Sequence, residues 1–121
     1  MKDEKRNKNG LYRLSGNTGT RRYMAPEISR KEPYNESVDI YSFGILLWEM
    51  LANEKPFEEY TSNMFQVLVA TMGDRPKIDD SFPDSMTLII TRCWSQNHKE
   101  RPNAFELHEL MEHAVNDQPR Q

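Results

Sequence analysis

Few side chains of this sequence are spaced for a familiar reaction. The three histidines, His98, His108 and His113, lack metal-ligand spacing, and with one cysteine in the chain a zinc site is not expected. That residue, Cys93, lies on an apolar stripe and is predicted to be an inert core residue rather than a nucleophile. Residues 16–19 contain two glycines but lack the lysine and the strand of a phosphate-binding loop. The sequence therefore predicts no metal site, and its remaining candidates must be judged from the elements that position them.

The composition indicates an intracellular globular protein. The chain has 121 residues, enough for one domain, and its net charge of −3 argues against a nucleic-acid partner. A single cysteine cannot form an internal disulfide, which favours a reducing compartment such as the cytoplasm. Residues 1–9 lack the apolar core of a signal peptide. Residues 38–52 are apolar but too short for a membrane span and include Asp39 and Glu49, so no membrane partner is expected.

The first third of the chain is predicted to be loop and the rest helical. Glycines and prolines punctuate residues 1–35. Residues 37–52 are apolar on nearly every side, which predicts a helix buried in the middle of a larger structure. The acidic residues Glu36 and Asp39 near its start suit the positive end of the helix dipole.

Three further helices are predicted after residue 60. The first begins at Thr61 or Ser62 and stops at Gly73. The last begins at Asn103, with Glu106 three residues on, close to a capping box. The apolar residues that each helix is expected to bury are, in order, Met64, Phe65, Leu68 and Met72; then Met86, Ile89, Ile90, Cys93 and Trp94; then Leu107, Leu110, Met111 and Ala114.

Two motifs at a fixed spacing carry a family resemblance. Residues 19–27 read G-T-R-R-Y-M-A-P-E and residues 39–44 read D-I-Y-S-F-G, and Cys93-Trp94 and Arg101-Pro102 follow. Together they resemble the end of a protein kinase activation segment and the helices of the kinase large lobe. No Gly-rich loop, V-A-I-K lysine, H-R-D loop or D-F-G precedes them. The pattern of residues 14–20 resembles the one that precedes A-P-E in the tyrosine-kinase-like group of serine/threonine kinases.

The resemblance implies a mainly α fold, the second half of a kinase large lobe with the end of the activation segment and four or more helices. A partial kinase domain would occupy residues 1–116, divided into an activation segment with its following loop (1–35) and large-lobe helices (36–116). Residues 117–121 would be a polar tail. Met1 falls shortly after the expected position of D-F-G, which favours a truncated sequence or an incomplete gene model over a designed domain start.

The same resemblance implies structural roles for five residues. Glu27 and Arg101 match a buried ion pair, for which a guanidinium is suited because it binds a carboxylate through two parallel hydrogen bonds. Asp39 matches the helix aspartate that anchors the catalytic loop. Leu46 and Met50 match anchors of the hydrophobic spine that links the two lobes, although ordinary core packing would explain them equally well.

The resemblance also implies roles in substrate binding or regulation for residues near the A-P-E motif. Thr20 matches the threonine that positions the substrate hydroxyl in serine/threonine kinases. Ser15 and Thr18 lie where activating phosphorylation is common, and a phosphate there could pair with neighbouring arginines. Arg22 replaces an acid with which some kinases read a substrate arginine, so a preference for basic substrates is not expected.

The implied activity is transfer of the ATP γ-phosphate to Ser or Thr of a protein substrate. That reaction needs a lysine on the phosphates, a Mg²⁺-binding aspartate and a catalytic-loop aspartate. No catalytic residue is expected in this chain, so ATP and Mg²⁺ would be bound by the complete domain and not by this chain alone. Its partners would be the protein substrate and the missing N-terminal half. The alternatives are a non-catalytic binding module or pseudokinase fragment, and an unrelated helical domain that mimics the motifs.

Overall fold

The computed structural model describes residues 5–6, 12–13 and 21–117. The chain forms two short antiparallel strands, β1 (Lys5–Arg6) and β2 (Tyr12–Arg13), which pair Lys5 with Arg13 and Arg6 with Tyr12. The sequence predicted a loop over these residues, so the two strands differ from that prediction. The helices are α1 (Pro26–Ser29), α2 (Ser37–Ala52), α3 (Ser62–Met64, continued by a π-helix over Phe65–Thr71), α4 (Asp84–Cys93), a 3₁₀ turn (His98–Glu100) and α5 (Ala104–Asp117). The mainly α fold is confirmed.

The core of the described chain lies where α2 packs against α4. Tyr41 and Ile45 of α2 are fully buried, as is Cys93 of α4. At Gly44 a Cβ atom would lie 2.7 Å from the Cys93 Cβ, so only glycine lets the two helices come this close. The Trp48 indole N–H donates to the Lys77 carbonyl at 2.8 Å, which ties α2 to the chain before α4.

The opposite side of α2 is not buried by any described residue. Leu46 is 46% exposed and Met50 is 70% exposed, and Leu51 is exposed as well. The expectation that this helix is buried all round is therefore wrong for the described chain. The physical reason is that α2 makes most of its helix contacts with α4, which leaves Leu46 and Met50 uncovered by the described residues.

The α3 region starts and stops where the sequence predicts, but its internal geometry differs. The Thr61 hydroxyl caps the helix by accepting from the Met64 amide, and Gly73 ends it with φ of 82°. Between them the hydrogen bonds run from residue i to i+5, as in a π-helix. This changes which side chains share a face: Phe65 is buried, whereas Met64 and Met72, both expected in the core, are exposed.

The last two helices follow the predicted pattern. In α4, Ile89, Ile90 and Cys93 are buried, and Trp94 follows them into the core. The capping box before α5 is formed reciprocally: the Asn103 amide donates to Glu106 Oε1 at 2.9 Å, and the Glu106 amide donates to Asn103 Oδ1 at 2.8 Å. In the predicted α5 stripe, Ala114 is buried, and Leu107, Leu110 and Met111 are partly buried against the core. Within the described ranges, no helix is both long and apolar enough to cross a bilayer.

Candidate functional site

A buried ion pair joins two parts of the described chain that are far apart in the sequence. Arg101 Nη1 donates to Glu27 Oε2 at 2.8 Å and Arg101 Nη2 donates to Glu27 Oε1 at 2.9 Å, which makes the contact bidentate. The two residues are 4% and 6% exposed and 74 positions apart in the sequence. Further donation from Arg101 Nε to the Ser95 carbonyl, at 3.0 Å, fixes the plane of the guanidinium. The structure thus brings together the two residues that the motifs suggested.

Local sequence explains how both partners reach this place. Pro26 starts α1, where its missing N–H costs nothing, and Glu27 follows in the first turn. Arg101 ends the 3₁₀ turn in an extended conformation, with φ of −77° and ψ of 146°. The proline that follows, Pro102, restricts its predecessor to that region. The two prolines, Pro26 before Glu27 and Pro102 after Arg101, therefore help to direct the carboxylate and the guanidinium towards each other.

The environment keeps Glu27 ionised. Burial alone would raise the pKa of its carboxyl, but hydrogen bonds from Arg101 and from the backbone, together with the charge of Arg101, hold that pKa below its ordinary value. An ionised carboxylate with a bidentate partner is stable at neutral pH, whereas either charge alone would be stranded in the interior.

A second arginine, Arg75, completes this cluster and was not singled out from the sequence. Its guanidinium lies 5.0 Å from the centre of the Tyr41 ring, and that of Arg101 lies 5.2 Å from the same centre. Arg75 Nε donates to the Trp94 carbonyl at 2.9 Å, and Nη2 donates to Gln96 Oε1 at 2.7 Å. The repeated Arg-Pro pair, at 75–76 and at 101–102, was the available signal.

Burial also sets the protonation of the neighbouring groups. It raises the pKa of the Tyr41 hydroxyl to about 12, against a smaller opposite effect of the two arginines. It lowers the pKa of Arg75 and raises that of the Cys93 thiol to about 12. Cys93 is therefore a neutral core thiol at physiological pH, and the cluster holds structure without offering a nucleophile.

The segment that precedes α1 is tied to α2. The Tyr23 hydroxyl donates to Glu49, and the Ser42 hydroxyl donates to the Tyr23 carbonyl at 2.6 Å. Burial, and then the hydrogen bond to Glu49, raise the pKa of Tyr23. Residues 21–25, which we call the tied segment, are thus fixed by hydrogen bonds to the middle of α2, and Glu27 of the ion pair follows them in the sequence.

The other residues singled out from the sequence are not drawn into this cluster. Asp39 is exposed in the first turn of α2, and its carboxylate makes no hydrogen bond to a described residue. Leu46 and Met50 lie on the exposed face of the same helix. Thr20 lies outside the described residues, as do Ser15 and Thr18.

The described residues do not fit the cofactors of phosphoryl transfer. No group of three His, Cys, Asp or Glu side chains among them could hold a metal ion. The sequence contains no H-R-D or D-F-G aspartate and no V-A-I-K lysine.

A small cavity lies next to the tied segment. Its volume is about 170 Å³. Two arginines, three aromatic rings and two hydroxyl side chains line it: Arg21, Arg22, Phe57, Tyr60, Thr61, Ser62 and Phe65. The motif comparison suggested that Arg22 affects substrate choice, but the sequence did not predict the cavity. The pattern of residues 57–65 indicates only a loop and the start of a helix.

Comparisons with known proteins agree with the motifs. Residues 1–111 match the family described as protein tyrosine and serine/threonine kinase. The chain is 39% identical over 97 residues to the serine/threonine/tyrosine-protein kinase HT1 of Arabidopsis thaliana, covering 80% of this chain and 25% of that protein. It is 34% identical over 103 residues to human mitogen-activated protein kinase kinase kinase 7, covering 84% and 17%.

A third relative, the dual specificity protein kinase shkE of Dictyostelium discoideum, is 39% identical over 103 residues, covering 84% of this chain and 14% of that protein. The chain belongs to the protein tyrosine and serine/threonine kinase family. The recognition of a tyrosine-kinase-like kinase segment from its motifs is confirmed. The chain spans a quarter or less of the length of these relatives.

Proposed function

We propose that this chain is the substrate-side part of a protein kinase domain that transfers the ATP γ-phosphate to Ser or Thr residues of proteins. The observation that carries the proposal is the bidentate Glu27–Arg101 pair, which ties the A-P-E motif to the segment before α5. Together with the family match over residues 1–111, this contact supports a segment built to hold a substrate loop. ATP and Mg²⁺ would be bound by the complete domain.

The exposed face of α2 supports the proposal that further protein covers this chain. Leu46 and Met50 place two large apolar side chains in solvent, and Asp39 on the same helix has a carboxylate with no described partner. Exposed apolar surface of this kind marks an interaction site. We propose that the N-terminal half of the domain packs here, with Leu46 and Met50 as spine anchors and Asp39 as the anchor of the catalytic loop.

The substrate and regulatory roles fall to the residues before Arg21. We propose that Thr20 positions the substrate hydroxyl and that Ser15 and Thr18 are sites of regulatory phosphorylation. The protein substrate and the rest of the domain would be the partners, in the cytoplasm. We propose residues 1–116 as the kinase part and 117–121 as a tail.

The alternative is a non-catalytic binding module or pseudokinase fragment. The observation that favours it is the exposed apolar face of α2 at Leu46 and Met50, which is suited to binding another protein. A binding module would have to keep its α2 face covered by another protein or by a second copy. Catalysis by the full-length gene product distinguishes the two functions.

The test is γ-phosphate transfer from ATP to a mixture of protein and peptide substrates by the full-length gene product, followed by mass spectrometry. We expect phosphoserine and phosphothreonine in the substrates. Thr20→Ala should lower kcat/KM strongly, Thr20→Ser should restore part of it, and Thr91→Ala, an exposed threonine on α4, should behave as wild type. No transfer by a folded full-length product would overturn the catalytic proposal in favour of the binding module.

A further inference from the structure

The cavity beside residues 21–22 has the size of a side-chain subsite. Its volume of about 170 Å³ is smaller than the roughly 300–1,000 Å³ of small-molecule sites. It therefore suits one side chain of a longer ligand better than a nucleotide. The cavity lies between the tied segment that follows Thr20 and the loop that leads from α2 into α3.

Three aromatic rings form a preorganised apolar wall. The Phe57 ring lies 5.2 Å from that of Tyr60 and 5.4 Å from that of Phe65, the latter edge to face at 90°. The Tyr60 hydroxyl donates to Asp74, which holds the ring from its far end. Phe57 also has φ of 55°, a left-handed conformation that a bulky residue adopts only when its surroundings fix it. The wall would pack against the methylene groups of an entering side chain.

The charged groups of the lining are both cations. Neither the Arg21 nor the Arg22 guanidinium makes an ion pair or hydrogen bond with the described residues, and Arg21 Nε is buried without an acceptor among them. A buried donor of this kind is stabilised when an acceptor arrives. No carboxylate lines the cavity; Glu58 and Glu59 are exposed in the same loop.

We propose that this cavity binds an anionic side chain, ending in a carboxylate or a phosphate, of the polypeptide substrate. The proposal rests on the proposed function, since it assigns to the kinase substrate a residue near the hydroxyl that Thr20 would position. The Arg21 and Arg22 guanidinium groups bind the anion, and Thr61 and Ser62 add hydroxyl donors at the rim. The substrate class is therefore acidic or already phosphorylated sequences.

The test is peptide binding to the full-length gene product, dephosphorylated so that no phosphate on Ser15 or Thr18 competes. Fluorescence anisotropy without ATP compares peptides that differ at one position near the acceptor serine: glutamate, phosphoserine, glutamine or arginine. For at least one substituted position, the glutamate or the phosphoserine peptide should bind about three- to tenfold more tightly than the glutamine peptide. Whichever of these two peptides binds more tightly shows whether the cavity prefers a carboxylate or a phosphate. The difference should shrink in 1 M salt, where charges are screened within about 3 Å.

Variants assign the effect to the cavity. Arg21→Gln and Arg22→Gln should each reduce the preference and the double variant should abolish it, whereas Lys99→Gln, which removes a charge from an exposed residue outside the lining, should keep it. Arg22→Glu should shift the preference towards the arginine peptide. Thermal unfolding checks that each variant is folded.

Two results would overturn the inference: equal affinity for the glutamate and glutamine peptides at every position, or a preference that survives in the double variant. Because binding is measured without ATP, it is independent of catalysis. A product that transfers phosphate without a charge preference refutes this inference alone. A product that prefers anionic peptides but transfers no phosphate refutes the proposed kinase activity and leaves the anion site in place.

Discussion

Two pairs of arginines in this chain occupy contrasting environments. Arg101 is buried and Arg75 is partly buried, and a carboxylate, backbone carbonyls and the Tyr41 ring are their partners. Arg21 and Arg22 line an open cavity, and neither guanidinium has a hydrogen bond or ion pair to a described residue. Burying a guanidinium costs free energy unless its donors are satisfied, so the first pair serves as scaffold. Donors left unsatisfied at a cavity are suited to binding a ligand.

The largest effect should come from breaking the scaffold. Arg101→Ala strands the buried Glu27 carboxylate, and we expect a loss of about 3–5 kcal/mol in the free energy of unfolding. Chemical denaturation of the full-length gene product measures it, with Lys99→Ala as an exposed control that should stay close to wild type. A free energy of unfolding equal to that of the wild type for Arg101→Ala would show that the pair does not hold the fold together.

Arg75 should have the next largest effect. Arg75→Ala removes the hydrogen bonds to Trp94 and Gln96 and the cation–π contact with Tyr41, so we expect a loss of about 2–3 kcal/mol. Arg75→Lys should recover only part of it, because an ammonium cannot reproduce the planar fork. The same denaturation experiment checks both variants. If Arg75→Ala were neutral, Arg75 would belong with the cavity arginines.

Acid should weaken the scaffold through Glu27. Its pKa is lower in the folded protein than in the unfolded chain, so its contribution is complete above the unfolded value of about 4.3 and is lost as the pH falls through the folded pKa. Unfolding free energies measured between pH 7 and pH 3 should fall more steeply in the wild type than in Glu27→Gln. Parallel curves for the two proteins would contradict the assignment.

The smallest effect on stability should come from the cavity arginines. Arg21→Gln and Arg22→Gln break no described hydrogen bond or ion pair, so each should change the free energy of unfolding by no more than about 0.5 kcal/mol. Thermal denaturation of both variants beside the wild type checks this. A loss comparable with that of Arg75→Ala would move these residues into the scaffold and remove the contrast.

The sequence predicted those features that rest on local chemistry or on a spaced motif. The Thr61 cap, the stop at Gly73 and the capping box at Asn103 and Glu106 follow from side chains that act within a few residues. The helical stripe of α4 follows from periodicity alone. The suggestion that Glu27 meets Arg101 came from the kinase motifs, since no local rule joins residues 74 positions apart.

The features that the sequence did not reveal depend on tertiary packing. The exposure of Leu46 and Met50 depends on which elements are present to cover α2, and not on their own hydrophobicity. The π-helix over Phe65–Thr71 has no distinctive residue pattern, because its hydrogen bonds shift by one residue without a change in composition. The cavity of Arg21 and Arg22 forms only when the loop after α2 folds back beside them.

The most direct test of the scaffold is a double-mutant cycle on the ion pair in the full-length gene product. The unfolding free energies of the wild type, Glu27→Gln, Arg101→Gln and the double variant are measured at neutral pH. We predict a coupling of about 2–3 kcal/mol, with the double variant losing much less than the sum of the single losses. Additive losses, within about 0.5 kcal/mol, would contradict the claim that this pair joins the A-P-E motif to the segment before α5.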